Sequence, residues 1–309
     1  MRLTRRRTRR LFHILPVLVG ISISAAVLTA LGGPPAAAQQ PAAAYRGPST
    51  LREGLPPKVT AEAAAVIDGD TGALLLNKYA FQRMAPASVT KILTALVTLQ
   101  HVDPKQRVIA RFDPDELDSD GTAMGLFPGD EVTVEDLLYG LMLPSGNDAA
   151  LVLARVVAGS EQEFVAMMNR AAVANGLQAT TFVNPHGLDA PGHMTSAYDI
   201  AQIGRLAMRD ARFRAIARAR SWTVVGERTY ELTNRNPFLR EYAGAEGIKV
   251  GWTEEAGATI VASASRNGRR VIVALMDTDD RVGDSTALMD WAFGTLDGGR
   301  TPVAVNVSD

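Results

Sequence analysis

The 309 residues are 47% hydrophobic and carry a formal charge of −1, enough apolar material for one large domain or two modest ones with a real core. A charge this close to zero excludes a nucleic-acid surface resting on a general basic field, since neutralising phosphates needs clustered Lys and Arg and the one dense basic cluster is at the extreme N-terminus. Cysteine is absent, which excludes disulfides, a thiol nucleophile and thiolate metal ligands.

Residues 2–10 hold six arginines, Leu11 to Ala44 contain no charged side chain, and Ile14 to Leu31 are almost wholly apolar. Basic, then apolar, then small is the order of a secretory signal peptide, and Ala36-Ala37-Ala38 before Gln39 offers a small-x-small cleavage point. A signal peptide is therefore expected over residues 1–38, with an extracytoplasmic mature chain. Thr8-Arg9-Arg10-Leu11-Phe12 also resembles the twin-arginine export pattern, so the export route stays open. Left uncleaved, the apolar stretch is just long enough to span a bilayer and would give an N-terminal membrane association. Residues 39–58, rich in Pro and Ala, are the expected tether. The sequence predicts one domain over residues 59–297, then a short tail, 298–309, with no amphipathic stripe and no second domain.

Within the domain, the apolar run Ala63 to Tyr79 is broken by Asp68-Gly69-Asp70-Thr71-Gly72, turn chemistry that predicts a hairpin. From Ser88 the spacing becomes helical, with Ile92, Leu93, Leu96, Val97 and Leu99 forming the apolar stripe. Thr133 to Asp136, Ser160 to Glu163 and Ser196 to Asp199 each place a hydroxyl three residues before an acid and predict three helix starts. After Arg220 strands are predicted at Trp222–Val225, Thr229–Leu232, Gly247–Gly251, Ala258–Ala264 and Val271–Met276, with a tight turn at Asn267-Gly268. A last helix is predicted over Ser285–Phe293. The pattern is that of an α/β (α+β) domain whose antiparallel sheet is built from both chain ends and packed by helices.

Three short motifs carry chemistry. Ser88-Val89-Thr90-Lys91 opens a helix, so serine and lysine lie on one face about a turn apart. A lysine can take the serine proton only if burial or a nearby cation favours its neutral form, a role arginine cannot fill. With five lysines against 27 arginines, a lysine here is less readily an interchangeable surface cation. By itself the tetrad equally describes an ordinary capped helix start. Ser145-Gly146-Asn147 is a polar turn between two apolar helical runs, either a capped connection or a second hydroxyl beside a substrate-binding amide. Lys249-Val250-Gly251 ends a strand, either as a solvated terminus or as fixed positive charge beside a glycine that permits close approach.

In this order the three motifs resemble the Ser-x-x-Lys, Ser-x-Asn and Lys-Thr-Gly set of serine penicillin-binding proteins and β-lactamases. The longer stretches Ala85–Lys91, Asp136–Asp148, Asn184-Pro185-His186-Gly187-Leu188-Asp189 and Gly247–Thr253 resemble the D-alanyl-D-alanine carboxypeptidase family, over roughly Ala63 to Phe293. The resemblance implies a β-lactamase/transpeptidase-like fold with a helical lobe, the site lying between lobe and sheet. It implies Ser88 as nucleophile, Lys91 as its base and Ser145 as proton donor to the departing D-alanine. Asn147 would bind substrate, the N–H groups of Ser88 and Trp252 would form an oxyanion hole, and Lys249, Gly251, Thr253 and Arg281 would complete the substrate site. Arg281 rests on its place ten residues before Trp291. Implied partners are peptidoglycan stem peptides ending in D-Ala-D-Ala, and β-lactams as covalent inhibitors; no cofactor, metal or nucleic acid is expected.

The chain departs from the family pattern at Val250, where threonine is usual; losing that hydroxyl removes a bond to the substrate carboxylate of about 1.5–3 kcal/mol. The departure keeps two alternatives in view, a β-lactamase-like hydrolase and a weakly active or non-catalytic penicillin-binding module. The first lacks the glutamate text expected after the Ser-x-Asn turn. His101, His186 and His193 share no metal-ligand spacing and are expected to be structural.

Overall fold

Apolar runs without alternation mark strands covered on both faces, and two such runs from opposite ends of the chain meet at the centre of the fold. The computed structural model describes residues 54–117, 121–297 and 304–308. The expected signal peptide and most of the tether lie outside the described residues.

In chain order, a hairpin of β1 (Ala63–Asp68) and β2 (Leu74–Lys78) leads through a 3₁₀ turn (Ala87–Thr90) into α1 (Lys91–His101). Then follow β3 (Arg107–Ile109), β4 (Glu131–Thr133), α2 (Val134–Met142), α3 (Asn147–Ala158), α4 (Glu161–Ala174), α5 (Ala197–Ala207) and α6 (Ala211–Arg218). The chain continues through β5 (Ser221–Val225), β6 (Thr229–Thr233), α7 (Phe238–Glu241), β7 (Ala245–Thr253), β8 (Gly257–Arg266), β9 (Arg269–Met276), α8 (Arg281–Asp297) and β10 (Val305–Asn306).

The main sheet runs β10-β2-β1-β9-β8-β7. β1 pairs antiparallel with β9, Ala63 opposite Met276 and Asp68 opposite Val271, so both chain ends build the sheet as expected. Asn267 and Gly268 take φ of 51° and 76° between β8 and β9, the left-handed pair that a two-residue hairpin demands. One cluster on the sheet joins Ile67, Val261 and Ile272 to α1, α2, α3 and α5; the other joins Val66, Ile260 and Val273 to Leu288, Met289 and Phe293 of α8.

Three expectations change. The predicted strands at 222 and 229 form a separate ribbon, β5–β6. It leaves the main sheet because Trp222 stacks on Tyr139, 3.9 Å between ring centres, and donates to Asp136 at 2.9 Å, which fixes it on α2. The tail does not end the domain at 297, since Val305 and Asn306 return to pair parallel with β2. The last helix starts four residues earlier than predicted and bears Arg281 at its first position.

The predicted helix starts are observed, with one inversion. Thr133 and Asp136 form the reciprocal capping box. At Ser160, which has the usual glutamate, only the serine accepts, from the Glu163 N–H.

Candidate active site

α1 is buried from Lys91 to Leu99 rather than along one stripe, as befits a core helix. That burial is what makes Lys91 chemically unusual. Its side chain is fully buried, and desolvation first, then the positive charge of Lys249, holds the amine well below its ordinary range, against an opposing pull from Asp148. Lys91 Nζ lies 3.0 Å from Ser88 Oγ, 2.8 Å from Asn147 Oδ1 and 2.5 Å from the His186 carbonyl. A neutral amine has two hydrogens and one lone pair. The amide oxygen and the carbonyl can only accept, so in the neutral form they hold the two hydrogens and leave the lone pair for the Ser88 hydroxyl.

The turn that presents Ser88 is held from three sides. Ala87 has φ of 53°, a strained value for a residue with a side chain, so the surroundings must impose it. Gly187, φ 93°, comes so close that a Cβ there would lie 2.0 Å from the Ala87 carbonyl, which seats the 184–189 loop on the Ser88 turn and aims the His186 carbonyl at Lys91. On the opposite side Gly251 of β7 faces Ser88, where a Cβ would lie 2.7 Å from the Ser88 nitrogen. The third tie is His193: its Nδ1 accepts the Val183 N–H at 3.0 Å and its Nε2 lies 2.9 Å from Thr90 Oγ1, whose own proton goes to the Ala87 carbonyl. This pattern requires the neutral Nε2–H tautomer. Burial keeps the ring neutral, its pKa lowered to about 4. His186 is lowered further, to about 3, by burial and then by Lys91, so its 4.0 Å approach to Glu161 is not an ion pair at neutral pH.

Ser145 lies between α2 and α3, as its sequence context predicts. It has φ of 72°, and its Oγ is buried with no hydrogen-bond partner among the described residues. Asp148, fully buried, accepts the N–H groups of Met124, Gly125 and Leu126 at 2.9, 2.9 and 3.0 Å, which ties a long loop to this turn.

β7 forms the other wall and is the edge strand of the sheet. Lys249 is buried, its Nζ donates to the Val250 carbonyl at 2.9 Å, and desolvation followed by the charges of Arg235 and Arg281 lowers it to about 7. Arg281 donates from Nη2 to the Gly251 carbonyl at 2.7 Å, while its Nε is buried without a partner among the described residues. Alternation puts Val250 on the sheet face away from Lys249 and Gly251, half-buried against the α8 cluster. Trp252 is 63% exposed.

Ser88, Lys91, Asn147, Lys249, Gly251 and Arg281 are thus assembled around one cleft. Thr253 also ties two elements together. Its hydroxyl donates to Asp189 Oδ1 at 2.7 Å and accepts the Ala256 N–H at 3.1 Å, which ties β7 to the 184–189 loop. Sequence reasoning missed the His186 carbonyl, the His193 tie and the Asp148 lacing; main-chain acceptors leave no trace in residue type. Among the described residues no group of three or more His, Asp or Glu is placed to hold a metal ion, and no helix is long and apolar enough to cross a membrane.

Comparison with known proteins agrees with this geometry. The family described as D-alanyl-D-alanine carboxypeptidase, peptidase S11, matches residues 51–280. The chain is 35% identical over 244 residues to D-alanyl-D-alanine carboxypeptidase DacF of Bacillus subtilis and 36% identical over 253 residues to DacC of Escherichia coli, in each case spanning 62% of the relative's length with 75% and 77% of its own. It is 35% identical to DacB2 of Mycobacterium tuberculosis, covering 77% of this chain and 84% of that one. Among solved structures, the Streptomyces K15 DD-transpeptidase superposes with a TM-score of 0.74 at 30% identity, over 78% of this chain and 99% of that one. The D-alanyl-D-alanine carboxypeptidase of Mycobacterium tuberculosis H37Rv superposes with 0.72 at 34% identity, over 78% and 93%. The chain belongs to the D-alanyl-D-alanine carboxypeptidase family of serine peptidases, S11.

Proposed function

We propose that the protein is a serine-type D-Ala-D-Ala carboxypeptidase acting on peptidoglycan stem peptides outside the cytoplasm, and that β-lactams acylate the same serine. The observation that carries this reading is the desolvated Lys91 amine, 3.0 Å from Ser88 Oγ and held by Asn147 Oδ1 and the His186 carbonyl. Lys91 takes the Ser88 proton as Oγ attacks the carbonyl of the penultimate D-alanine. The tetrahedral oxyanion is met by the N–H groups of Ser88 and Trp252, neighbours across the Gly251 contact. Ser145 passes a proton to the departing D-alanine, and Asn147, which fixes Lys91, also receives the peptide backbone. The terminal carboxylate is met by Lys249 and Arg281, which in the free protein rest on carbonyls of β7. Water then hydrolyses the ester and returns the proton to Ser88. The N-terminal export segment fits this location.

The test is D-alanine release from an acyl-D-Ala-D-Ala peptide, beside intact-mass measurement after penicillin treatment. A stable adduct on the wild type and none on Ser88→Ala is expected. An adduct that survives Ser88→Ala refutes the nucleophile, and turnover of penicillin within seconds favours a β-lactamase instead.

A further inference from the structure

We propose that Thr122 is a positioning residue for this reaction, holding Ser145 in the left-handed conformation that keeps its hydroxyl buried two residues from Asn147, the amide that binds Lys91. The inference rests on the carboxypeptidase reading above and concerns a residue far from every motif in the sequence.

Ser145 has φ of 72° although it is not glycine. Residues with a Cβ stay in that region only when their surroundings over-determine it. Relaxing to a right-handed backbone would swing Oγ to a new direction. What holds the turn is a set of main-chain bonds, and Thr122 supplies two of them. Its hydroxyl donates to the Ser145 carbonyl at 2.6 Å, and its own carbonyl accepts the Asn147 N–H at 2.8 Å. One residue therefore grips the turn on both sides of Gly146, whose N–H goes to the Gly140 carbonyl at 2.9 Å. Thr122 is itself anchored, because the Asp148 carboxylate collects the N–H groups of Met124, Gly125 and Leu126 just downstream.

The Ser145 hydroxyl has no partner among the described residues although it is buried. A buried hydroxyl left unpaired is unfavourable and persists where a bound ligand completes it. The clasp therefore fixes a buried hydroxyl that no described residue uses. Asn147, in the same clasp, holds Lys91 at 2.8 Å, so both proton-handling groups of the cleft share a support.

The test is kinetic. Thr122→Val keeps the volume and removes the donor, and Thr122→Ser restores it. A positioned acid or base contributes about 10²–10⁴-fold, so partial misplacement is expected to lower kcat for D-alanine release about 10-fold in Thr122→Val, with KM within about twofold. Thr122→Ser is expected near the wild type. In a Ser145→Ala background Thr122→Val should add no further loss. Wild-type kcat in Thr122→Val, or losses that multiply in full in the double variant, overturn the proposal. If Thr122→Val does not fold, a Thr122→Ser enzyme with kcat as low as Ser145→Ala overturns it equally. If the wild type releases no D-alanine, the carboxypeptidase reading fails by itself. A crystal structure of Thr122→Val then decides the clasp: a Ser145 that keeps its positive φ refutes it.

Discussion

Gly251→Ala isolates the contact between β7 and the nucleophile turn. An alanine Cβ at this position would lie 2.6 Å from Thr259 Oγ1, 2.7 Å from the Ser88 nitrogen and 2.9 Å from Ala87 Cβ, where ordinary contact begins near 3.4 Å. The two walls must therefore part by roughly 0.5–0.7 Å, the differences between 3.4 Å and the distances to Ala87 and Ser88, while Thr259 on the adjoining strand must also give way. The separation acts on the pair of N–H groups assigned to the oxyanion. Removing one oxyanion donor costs about 10²–10³-fold in kcat, and a misplacement near 1 Å about 10²-fold. Acylation by a reporter penicillin and D-alanine release are expected to fall together by about 10²-fold, with overpacking lowering stability by about 1–3 kcal/mol. The control is Gly294→Ala on α8, where a Cβ meets nothing within 4 Å and activity should not change. Stopped-flow acylation at a temperature well below both melting points separates the two effects. A folded Gly251→Ala protein that acylates at the wild-type rate refutes the role given to this contact.

Val250→Thr is expected to leave penicillin acylation near the wild-type rate, because alternation turns position 250 away from Lys249 and Gly251 toward the α8 cluster; a gain of about tenfold, the low end of a hydrogen bond to a charged acceptor, refutes that placement. Lys249→Met removes a charge that depresses Lys91, so the amine becomes easier to protonate and the acidic limb of the acylation pH profile should move to higher pH. A shift to lower pH refutes the coupling. His193, 2% exposed and lowered from 6.5 to about 4, binds a proton more readily in the unfolded chain than in the fold. Its contribution is complete above pH 6.5 and is lost as pH falls toward 4, a change of about 3 kcal/mol at 1.36 kcal/mol per unit. Urea unfolding at pH 7, 5 and 4 should show that slope together with the one from His186, lowered to about 3, and His193→Gln should reduce it by the His193 share; an unchanged slope in the variant assigns the titration elsewhere.

Much of the site was legible because side chains with unusual demands sit in short, local patterns. Lys91, one lysine in an arginine-rich chain, and the hydroxyl turn at Ser145 announce themselves in residue type and spacing. The Asn267-Gly268 hairpin and the hydroxyl helix starts were legible for the same reason, since turn and cap chemistry is local. What could not be read is decided between segments distant in sequence. Nothing in Thr253 says that Asp189 takes its proton, and nothing in Val305-Asn306 says that two residues suffice to extend a sheet. The β5–β6 ribbon reads like any strand pair until Trp222 is seen on Tyr139. Val250, noted for its missing hydroxyl, proves half-buried against the α8 side, so its cost is set by strand alternation as well as by chemistry.

The pairing of β1 with β9 also governs how the molecule comes into being. Ala63 and Met276 lie opposite each other at the centre of the sheet, so the strand made first must wait for almost the whole domain before it gains that neighbour. Contacts this distant in sequence slow folding, because loop closure precedes any return from the pairing. A chain interrupted between α3 and β7 would contain Ser88, Lys91 and Ser145 yet lack both the strand assigned to the oxyanion and Lys249, the charge that depresses the amine. Reactivity therefore arrives late and all at once. A nascent chain carries an inert serine until its last strands dock.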